Sequence, residues 1–232
     1  MRMSVRHCLV TGANRGLGLE FVRQLLARGD RVVATCRHPG KATAPLAGEF
    51  PGRLHVLPLD VADPKSIAEL ARELPLVCES LELLVNDAGV LHSGERFGSV
   101  SAANLDDSFR TNARGPLLLV QALAPLLVDG ARVANITSEL GSIAALTRFG
   151  TPSYNISKAA QNMATALVAK ALAARGIIVL ALHPGWVQTD MGGSGATLTP
   201  AQSVQGLLQV IDGATLQSSG QFFDWHGDAL PW

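Results

Sequence analysis

The sole tyrosine of the chain, Tyr154, stands four positions before Lys158. On a helix this spacing places both side chains on one face. A free phenol has a pKa of about 10, and a neighbouring ammonium group stabilises the phenolate and lowers that pKa. We therefore expect Tyr154 to exchange a proton with a carbonyl oxygen while hydride reaches the carbon, with Lys158 assisting. Taken alone, the five residues fit a helix face with a solvated lysine equally well.

Two further polar residues are candidates for the same site. Ser138 follows a predicted strand, where its hydroxyl would hold a substrate oxygen and stabilise developing charge. Asn112 interrupts a helical run, and asparagine is a poor helix former. Such a local inconsistency is typical of a functional position, although a helix asparagine that bonds to nearby backbone is the alternative.

A glycine-rich segment lies between the first predicted strand and the first predicted helix. It reads Thr11-Gly12-Ala13-Asn14-Arg15-Gly16-Leu17-Gly18. Glycines in this context let the backbone turn tightly and approach a pyrophosphate at the start of a helix. We expect dinucleotide contacts from Gly12, Asn14, Arg15, Gly16, Leu17 and Gly18.

The second predicted strand ends in Thr35-Cys36-Arg37-His38, without a carboxylate. An acidic residue there would bond the ribose 2′-hydroxyl of NAD. Arg37 would instead bind a 2′-phosphate through its guanidinium group, and Arg15 would add a second one. These two residues therefore favour NADP(H), and two solvated surface arginines are the alternative.

Short apolar runs alternate with longer segments of helical period along the whole chain. Continuously apolar strands are typical of parallel sheets that are buried on both faces. We predict one α/β domain over residues 1–232: a doubly wound Rossmann fold with a seven-stranded, mostly parallel sheet and helices on both faces. The predicted strands are Arg6–Thr11, Arg31–Cys36, Leu54–Pro58, Leu81–Asn86, Arg132–Thr137, Ile177–Leu182 and Gln221–Phe223. The predicted helices are Gly16–Arg28, Pro64–Cys78, Leu105–Leu127, Pro152–Arg175 and Pro200–Ile211.

Ligands of such a fold bind beyond the carboxyl ends of the strands, at the switch in strand order. Short polar or glycine-containing segments follow the third, fourth and sixth predicted strands, where an adenine and a nicotinamide would be contacted. The further residues that we expect at the cofactor are Asp60, Val61, Asn86, Ala88, Gly89, Pro184, Gly185, Val187 and Thr189, together with Tyr154 and Lys158.

The composition excludes several classes of protein. The 232 residues are 47% hydrophobic and 16% charged, which is typical of a globular protein and not of a disordered one. The net charge of zero argues against nucleic-acid and membrane partners. The three cysteines are far apart and the six histidines are scattered, so we expect neither disulfides nor a metal site. We expect a soluble cytoplasmic protein.

The chain resembles the short-chain dehydrogenase/reductase family over nearly its whole length, and within it the C-factor and sniffer-like carbonyl reductases. The family resemblance rests on the glycine turn, Asp60, the segment Asn86–Gly89, Asn112, Ser138, the Tyr154/Lys158 pair and Pro184-Gly185. The subfamily resemblance rests on Ala34–Arg37, His183–Gly193 and the tail Gly220–Trp232. It implies an NADP(H)-dependent carbonyl reductase acting on a small-molecule carbonyl or alcohol, and a homodimer or homotetramer. It also implies a catalytic tetrad of Asn112, Ser138, Tyr154 and Lys158.

Two features depart from the family pattern. Asp87 stands where the family usually has a second asparagine. Ser138 and Tyr154 are also about three positions further apart than is usual, as an insertion around Thr147–Thr151 would explain, and Ser142 is the alternative for the hydroxyl role. Two other functions stay open: a cofactor-binding sensor or signalling protein with incidental activity, and a methyltransferase, which leaves the four polar residues unexplained.

Overall fold

The computed structural model describes residues 5–38 and 43–232. Seven strands in these ranges form one sheet in the order β3-β2-β1-β4-β5-β6-β7, and all neighbouring strands are parallel. The predicted doubly wound parallel sheet is therefore confirmed. The strands are β1 (His7–Thr11), β2 (Arg31–Cys36), β3 (Leu54–Pro58), β4 (Leu81–Asn86), β5 (Leu127–Ile136), β6 (Ile178–His183) and β7 (Phe222–Asp224).

Helices cover both faces of this sheet. A π-helical turn over Arg110–Arg114 connects two of them without a break. No helix in the described ranges has both the length and the apolar character that crossing a membrane requires. The α-helices are α1 (Gly16–Ala27), α2 (Ala44–Glu49), α3 (Pro64–Glu73), α4 (Ala102–Phe109), α5 (Gly115–Leu123), α6 (Pro152–Leu172) and α7 (Pro200–Gly213).

Two apolar cores hold the helices against the sheet. Successive residues of a strand point to opposite faces, so each strand contributes to both cores. In β1, Val10 packs in the core that contains Phe21 of α1, whereas Leu9 packs in the core that contains Leu119 of α5. Because both faces are covered, the carboxyl edge of the sheet is the place where loops form a ligand site.

The prediction of one helix over Leu105–Leu127 is wrong at both ends. The observed helical run begins earlier, at Ala102, where Ser101 caps it by accepting a hydrogen bond from the Asn104 amide. It ends earlier, at Leu123, and β5 already begins at Leu127. The apolar run of this region has no period that separates helix from strand, so the chain reversal there was not predicted.

Two other differences concern short helical segments. Helix α2 has six residues and was not predicted. The helices predicted to end at Cys78 and Arg175 end instead in short 3-10 turns, Leu74–Leu76 and Ala173–Arg175. Neither difference alters the carboxyl edge of the sheet.

Candidate active site

A cleft of about 600 Å³ opens at the carboxyl edge of the sheet. It extends from the end of β2, past the glycine-rich turn, to Tyr154 and Lys158. The sheet order reverses between β1 and β4, where a doubly wound sheet is expected to bind its ligand. The sequence-predicted residues that line the cleft are Gly12, Asn14, Arg15, Gly16, Leu17, Arg37, Asp60, Val61, Ala88, Gly89, Tyr154, Lys158, Pro184 and Thr189.

The glycine-rich turn packs directly on the end of β4. Gly12 has a φ of +68°, and a Cβ atom there would lie 2.9 Å from the Ala88 Cα. A Cβ atom at Gly18 would lie 2.4 Å from the Gly12 carbonyl oxygen. Both positions therefore require glycine. Because α1 begins inside this turn, its first N–H groups and its dipole favour an anion in the cleft.

The Tyr154 hydroxyl group lies beside Ser138. Tyr154 is 7% exposed and Ser138 is 8% exposed, and their side chains are hydrogen-bonded. Burial raises the pKa of Tyr154 to about 12, the Ser138 hydrogen bond opposes this rise, and the Asp87 charge adds to it. The sequence predicted that the neighbouring ammonium lowers this pKa, but burial dominates and the net shift is upward.

The Lys158 ammonium group is held from the sheet and from its own helix. Its Nζ donates to the Ile136 carbonyl oxygen at 2.8 Å and to the Gln161 Oε1 at 2.9 Å, and lies 5.6 Å from the centroid of the Tyr154 ring. These two bonds use two of its three N–H donors. Burial lowers the pKa of Lys158 to about 8, and the Asp87 carboxylate opposes this shift.

Asn112 lies in the middle of the π turn, fully buried. Its Oδ1 accepts from the Val90 amide at 2.8 Å, and its Nδ2 donates to the Val90 carbonyl oxygen and to the Ser157 Oγ, both at 2.9 Å. The side chain thus connects the segment after β4 to the helix that carries Tyr154 and Lys158. The helix irregularity that the sequence indicated is real, and π turns are frequent at functional sites.

Two residues to which the sequence analysis assigned no role act on this centre, Asp87 through its charge and Gln161 through its hydrogen bond with Lys158. Asp87 is half-buried in the cleft wall and accepts a hydrogen bond from the Gly18 amide. Burial raises its pKa to about 7, against the opposing effects of the Lys158 charge and this hydrogen bond. Gln161 is 1% exposed, and its position three residues after Lys158 is the signal that places it on the same helix face.

The cleft is also lined by the two arginines expected at a 2′-phosphate. Arg37 is exposed at the end of β2 and lines the cleft. Arg15 also lines it, and its Nη1 lies 2.9 Å from the Asp190 Oδ2. No sequence pattern indicated this ion pair, since 175 positions separate its partners.

Four predicted cofactor residues lie behind the cleft wall. Gly18 supports the glycine turn, and Gly185 packs closely on Leu198. Val187 is 4% exposed and pairs with Leu198. Asn86 is 2% exposed and donates its amide to the Asn135 Oδ1 at 2.8 Å, inside the sheet. Their side chains therefore shape the cleft from behind.

The geometry separates the two candidate serines. The Ser142 hydroxyl accepts from the Ala145 amide at 3.1 Å and caps a turn, whereas Ser138 contacts Tyr154. The chain between Ser142 and Pro152 has no helix or strand. This irregular segment accommodates the wide spacing between Ser138 and Tyr154.

Comparisons with known proteins agree with this arrangement. A family profile described as short chain dehydrogenase matches residues 6–197. The C-signal protein of Myxococcus xanthus is 46% identical over 154 residues, which cover 66% of this chain and 93% of that protein. A 1-hydroxy-2-glutathionyl-2-methyl-3-butene dehydrogenase from Rhodococcus sp. is 36% identical over 230 residues, 97% of this chain and 98% of that protein.

Solved structures with the same fold include two carbonyl reductases. The NADPH-bound carbonyl reductase from chicken fatty liver is 38% identical, with a TM-score of 0.92 over 99% of this chain and all of that chain. The carbonyl reductase Sniffer of Drosophila melanogaster is 32% identical, with a TM-score of 0.92 over 98% of this chain and all of that chain.

Proposed function

This chain belongs to the short-chain dehydrogenase family, and from that premise we propose that it is an NADP(H)-dependent carbonyl reductase. The observation that carries the proposal is the grouping of Tyr154, Ser138 and Lys158 at a cleft that Arg15 and Arg37 also line. An NADPH-bound structure with 38% identity and the same fold supports this choice of cofactor.

The residues of the cleft fit a dinucleotide. The glycine turn leaves no room for side chains at Gly12 and Gly18, so the turn stays compact and Gly12 presents its backbone to the cleft. The start of α1 favours the anionic diphosphate. Arg37, with Arg15, would bind the 2′-phosphate, because a guanidinium group matches phosphate bidentately. Lys158 has one further N–H donor for a ribose hydroxyl.

The protein groups supply the proton and the orientation. When bound, the nicotinamide supplies or accepts the hydride at the substrate carbon. In the reducing direction, Ser138 donates a hydrogen bond to the carbonyl oxygen and Tyr154 gives that oxygen its phenolic proton. The carbonyl thereby gains one hydride and one proton and becomes an alcohol. Lys158 stabilises the phenolate that remains, and Asn112 holds the helix carrying both residues.

Exposed apolar side chains on the loops that follow the carboxyl ends of β4, β5 and β6 favour substrates with an apolar body. Phe149 and Phe97 form an edge-to-face pair with ring centroids 5.7 Å apart. Both rings are exposed, as are Trp186 and Met191 after β6. An apolar carbonyl compound would cover these surfaces.

A panel of aldehydes and ketones, followed by the loss of NADPH absorbance, tests the proposal. We expect turnover with at least one apolar carbonyl compound, and NADPH consumption equal to alcohol formed. The matched variant Tyr154→Phe keeps the fold and NADPH binding and loses about 10² to 10⁴ in kcat, the usual contribution of a general acid. Wild-type turnover in that variant would remove Tyr154 from the mechanism.

The likeness to C-signal supports a second candidate, a cofactor-binding sensor or signalling protein. The same panel separates the two functions. Tight NADPH binding without consumption by any carbonyl compound would favour the sensor, whereas turnover favours the reductase. The four polar residues at one end of the cleft support the enzyme.

We also infer a homodimer or homotetramer. The outer face of α6 exposes Ile156, Met163 and Leu167, and α4 exposes Phe109 beside them. Four large apolar side chains on adjacent helices are a surface that a second copy would cover. Light scattering at micromolar concentration tests this, and a monomer would contradict it.

A further inference from the structure

The helix that carries Tyr154 and Lys158 begins without a cap of its own. Thr151, at the cap position of α6, has a left-handed φ of 40° and its side chain makes no capping hydrogen bond. The Thr151 hydroxyl donates instead to the Asn155 Oδ1 at 3.0 Å. Since the first N–H groups of a helix have no partner within it, another group must satisfy them.

Glu95, more than fifty positions away in the chain, takes this place. Its Oε2 accepts from the Ser153 amide at 3.3 Å and its Oε1 accepts from the Ser153 hydroxyl at 2.8 Å. Within the stretch 93–100, Glu95 is the one buried side chain, at 9% exposed. A negative charge at this end of α6 also interacts favourably with the helix dipole.

The same carboxylate holds the start of α4. Glu95 Oε1 accepts from the Ser101 amide at 3.1 Å and from the Asn104 Nδ2 at 3.3 Å. Burial alone would raise the pKa of Glu95, but hydrogen bonds from Ser153, Ser101 and Asn104 outweigh it and keep the pKa below its usual range. The group is therefore an anion at neutral pH, shared by two helices.

Two anchored serines precede the two reactive residues. Ser153 is held by Glu95 and Ser157 is held by Asn112, so the anchors are one helical turn apart. Tyr154 and Lys158 follow them directly in sequence and share the adjacent face of α6. Asn112 is already part of the proposed tetrad, whereas Glu95 supplies the first anchor from outside it.

We propose that Glu95 is a positioning residue for the reductase: its carboxylate fixes the first turn of α6 so that the Tyr154 hydroxyl stays at Ser138. This inference rests on the proposed function for its kinetic part. An error of about 1 Å in the position of a reacting group costs about a hundredfold in rate. Loss of the anchor should therefore lower kcat. It should have little effect on the binding of NADPH, because Glu95 does not line the cofactor cleft.

The test uses Glu95→Gln. The glutamine side-chain NH2 group would take the place of Oε2, and it cannot accept the hydrogen bond that the Ser153 backbone N–H donates. We expect kcat to fall by about ten- to a hundredfold, while the Kd for NADPH changes less than twofold. The matched control is Asn104→Ala, which removes a bond from Glu95 to α4 and leaves both bonds to Ser153. It should stay within twofold of the wild-type kcat.

A second readout does not depend on turnover. Because Tyr154 is the sole tyrosine, the ultraviolet absorbance of tyrosinate reports its titration alone. Glu95→Gln should move that midpoint upward, since the Ser138 hydrogen bond that favours the phenolate is weakened, and Asn104→Ala should not. If Glu95→Gln does not fold, Ser153→Ala removes the 2.8 Å bond on the α6 side only and takes its place.

The outcomes separate the two proposals. Equal effects of Glu95→Gln and Asn104→Ala, or an unchanged kcat and an unchanged tyrosine midpoint in Glu95→Gln, would overturn the role of Glu95. A wild-type protein that reduces no carbonyl compound would overturn the proposed function, and the tyrosine titration would still decide whether Glu95 positions Tyr154.

Discussion

Arg15 and Asp190 form an ion pair between the glycine-rich turn and the segment after β6, with 2.9 Å between Nη1 and Oδ2. Both side chains are largely exposed, at 60% and 78%. The pair therefore contributes at most about 1 kcal/mol. It nevertheless occupies a guanidinium group that the 2′-phosphate of NADP(H) would require.

Asp190→Asn should free Arg15 for the phosphate. We expect the Kd for NADPH to decrease by up to about fivefold at low salt, and that for NADH to stay within twofold. Fluorescence titration of both cofactors at two salt concentrations measures this. Weaker NADPH binding in the variant would show that the ion pair helps to form the cleft.

Arg37→Ala should separate the two cofactors. A charge-assisted hydrogen bond is worth about 1.5 to 3 kcal/mol, so NADPH binding should weaken by about ten- to a hundredfold while NADH binding changes little. Arg31→Ala is the matched control, since it removes the same charge at the opposite end of β2. An equal loss for NADPH and NADH would contradict the assignment of Arg37.

Asp87 should make cofactor binding dependent on pH. Its pKa is about 7, and an anionic diphosphate in the same cleft disfavours the carboxylate and raises that pKa further in the complex. Binding then takes up a proton, so affinity is greatest below pH 7 and falls as the pH rises through 7. The loss should be at most about tenfold per pH unit.

Asp87→Asn should flatten this pH profile between pH 6 and 9. NADH is the better probe for it, because it lacks the 2′-phosphate, which titrates in this range. A profile that keeps the wild-type slope in the variant would assign the proton to another group, with Lys158 the next candidate, since its pKa is about 8.

The two serines offer a matched pair of substitutions. Ser138→Ala removes the hydroxyl beside Tyr154 and should lower kcat by about 10² to 10³, as for the loss of one oxyanion donor. Ser142→Ala removes a cap on the Ala145 amide, so we expect about 1 kcal/mol less stability and an unchanged kcat. Steady-state kinetics measures kcat and thermal unfolding measures stability in both variants. A lower kcat in Ser142→Ala with an unchanged kcat in Ser138→Ala would exchange the two assignments.

The sequence was sufficient where a local pattern determines position. Gly12 and Gly18 need glycine for steric reasons that the strand–turn–helix context already implied, and the four-residue spacing of Tyr154 and Lys158 needs only a helix. The parallel sheet follows from its apolar strands in the same way.

Long-range contacts could not be predicted from such patterns. Glu95 and Asp190 act on partners far away in the chain, and nothing in their sequence neighbourhoods marks them. The start of β5 was missed because Leu127 continues an apolar run that suits helix and strand equally. Burial, which sets the pKa of Tyr154 and of Asp87, is likewise a property of the assembled fold.

The wide turn at Arg110–Arg114 has a consequence for insertions and deletions. Helix α4 packs on α6 and α5 packs on α3, although the two segments form one continuous helical run. Each residue of a regular helix advances the side-chain direction by about 100°, so removing one residue from this turn would rotate one segment relative to the other. The apolar side chains of one of the two segments, α4 or α5, would then point toward solvent. We therefore expect single-residue length changes to be tolerated at the protein surface and excluded at this place.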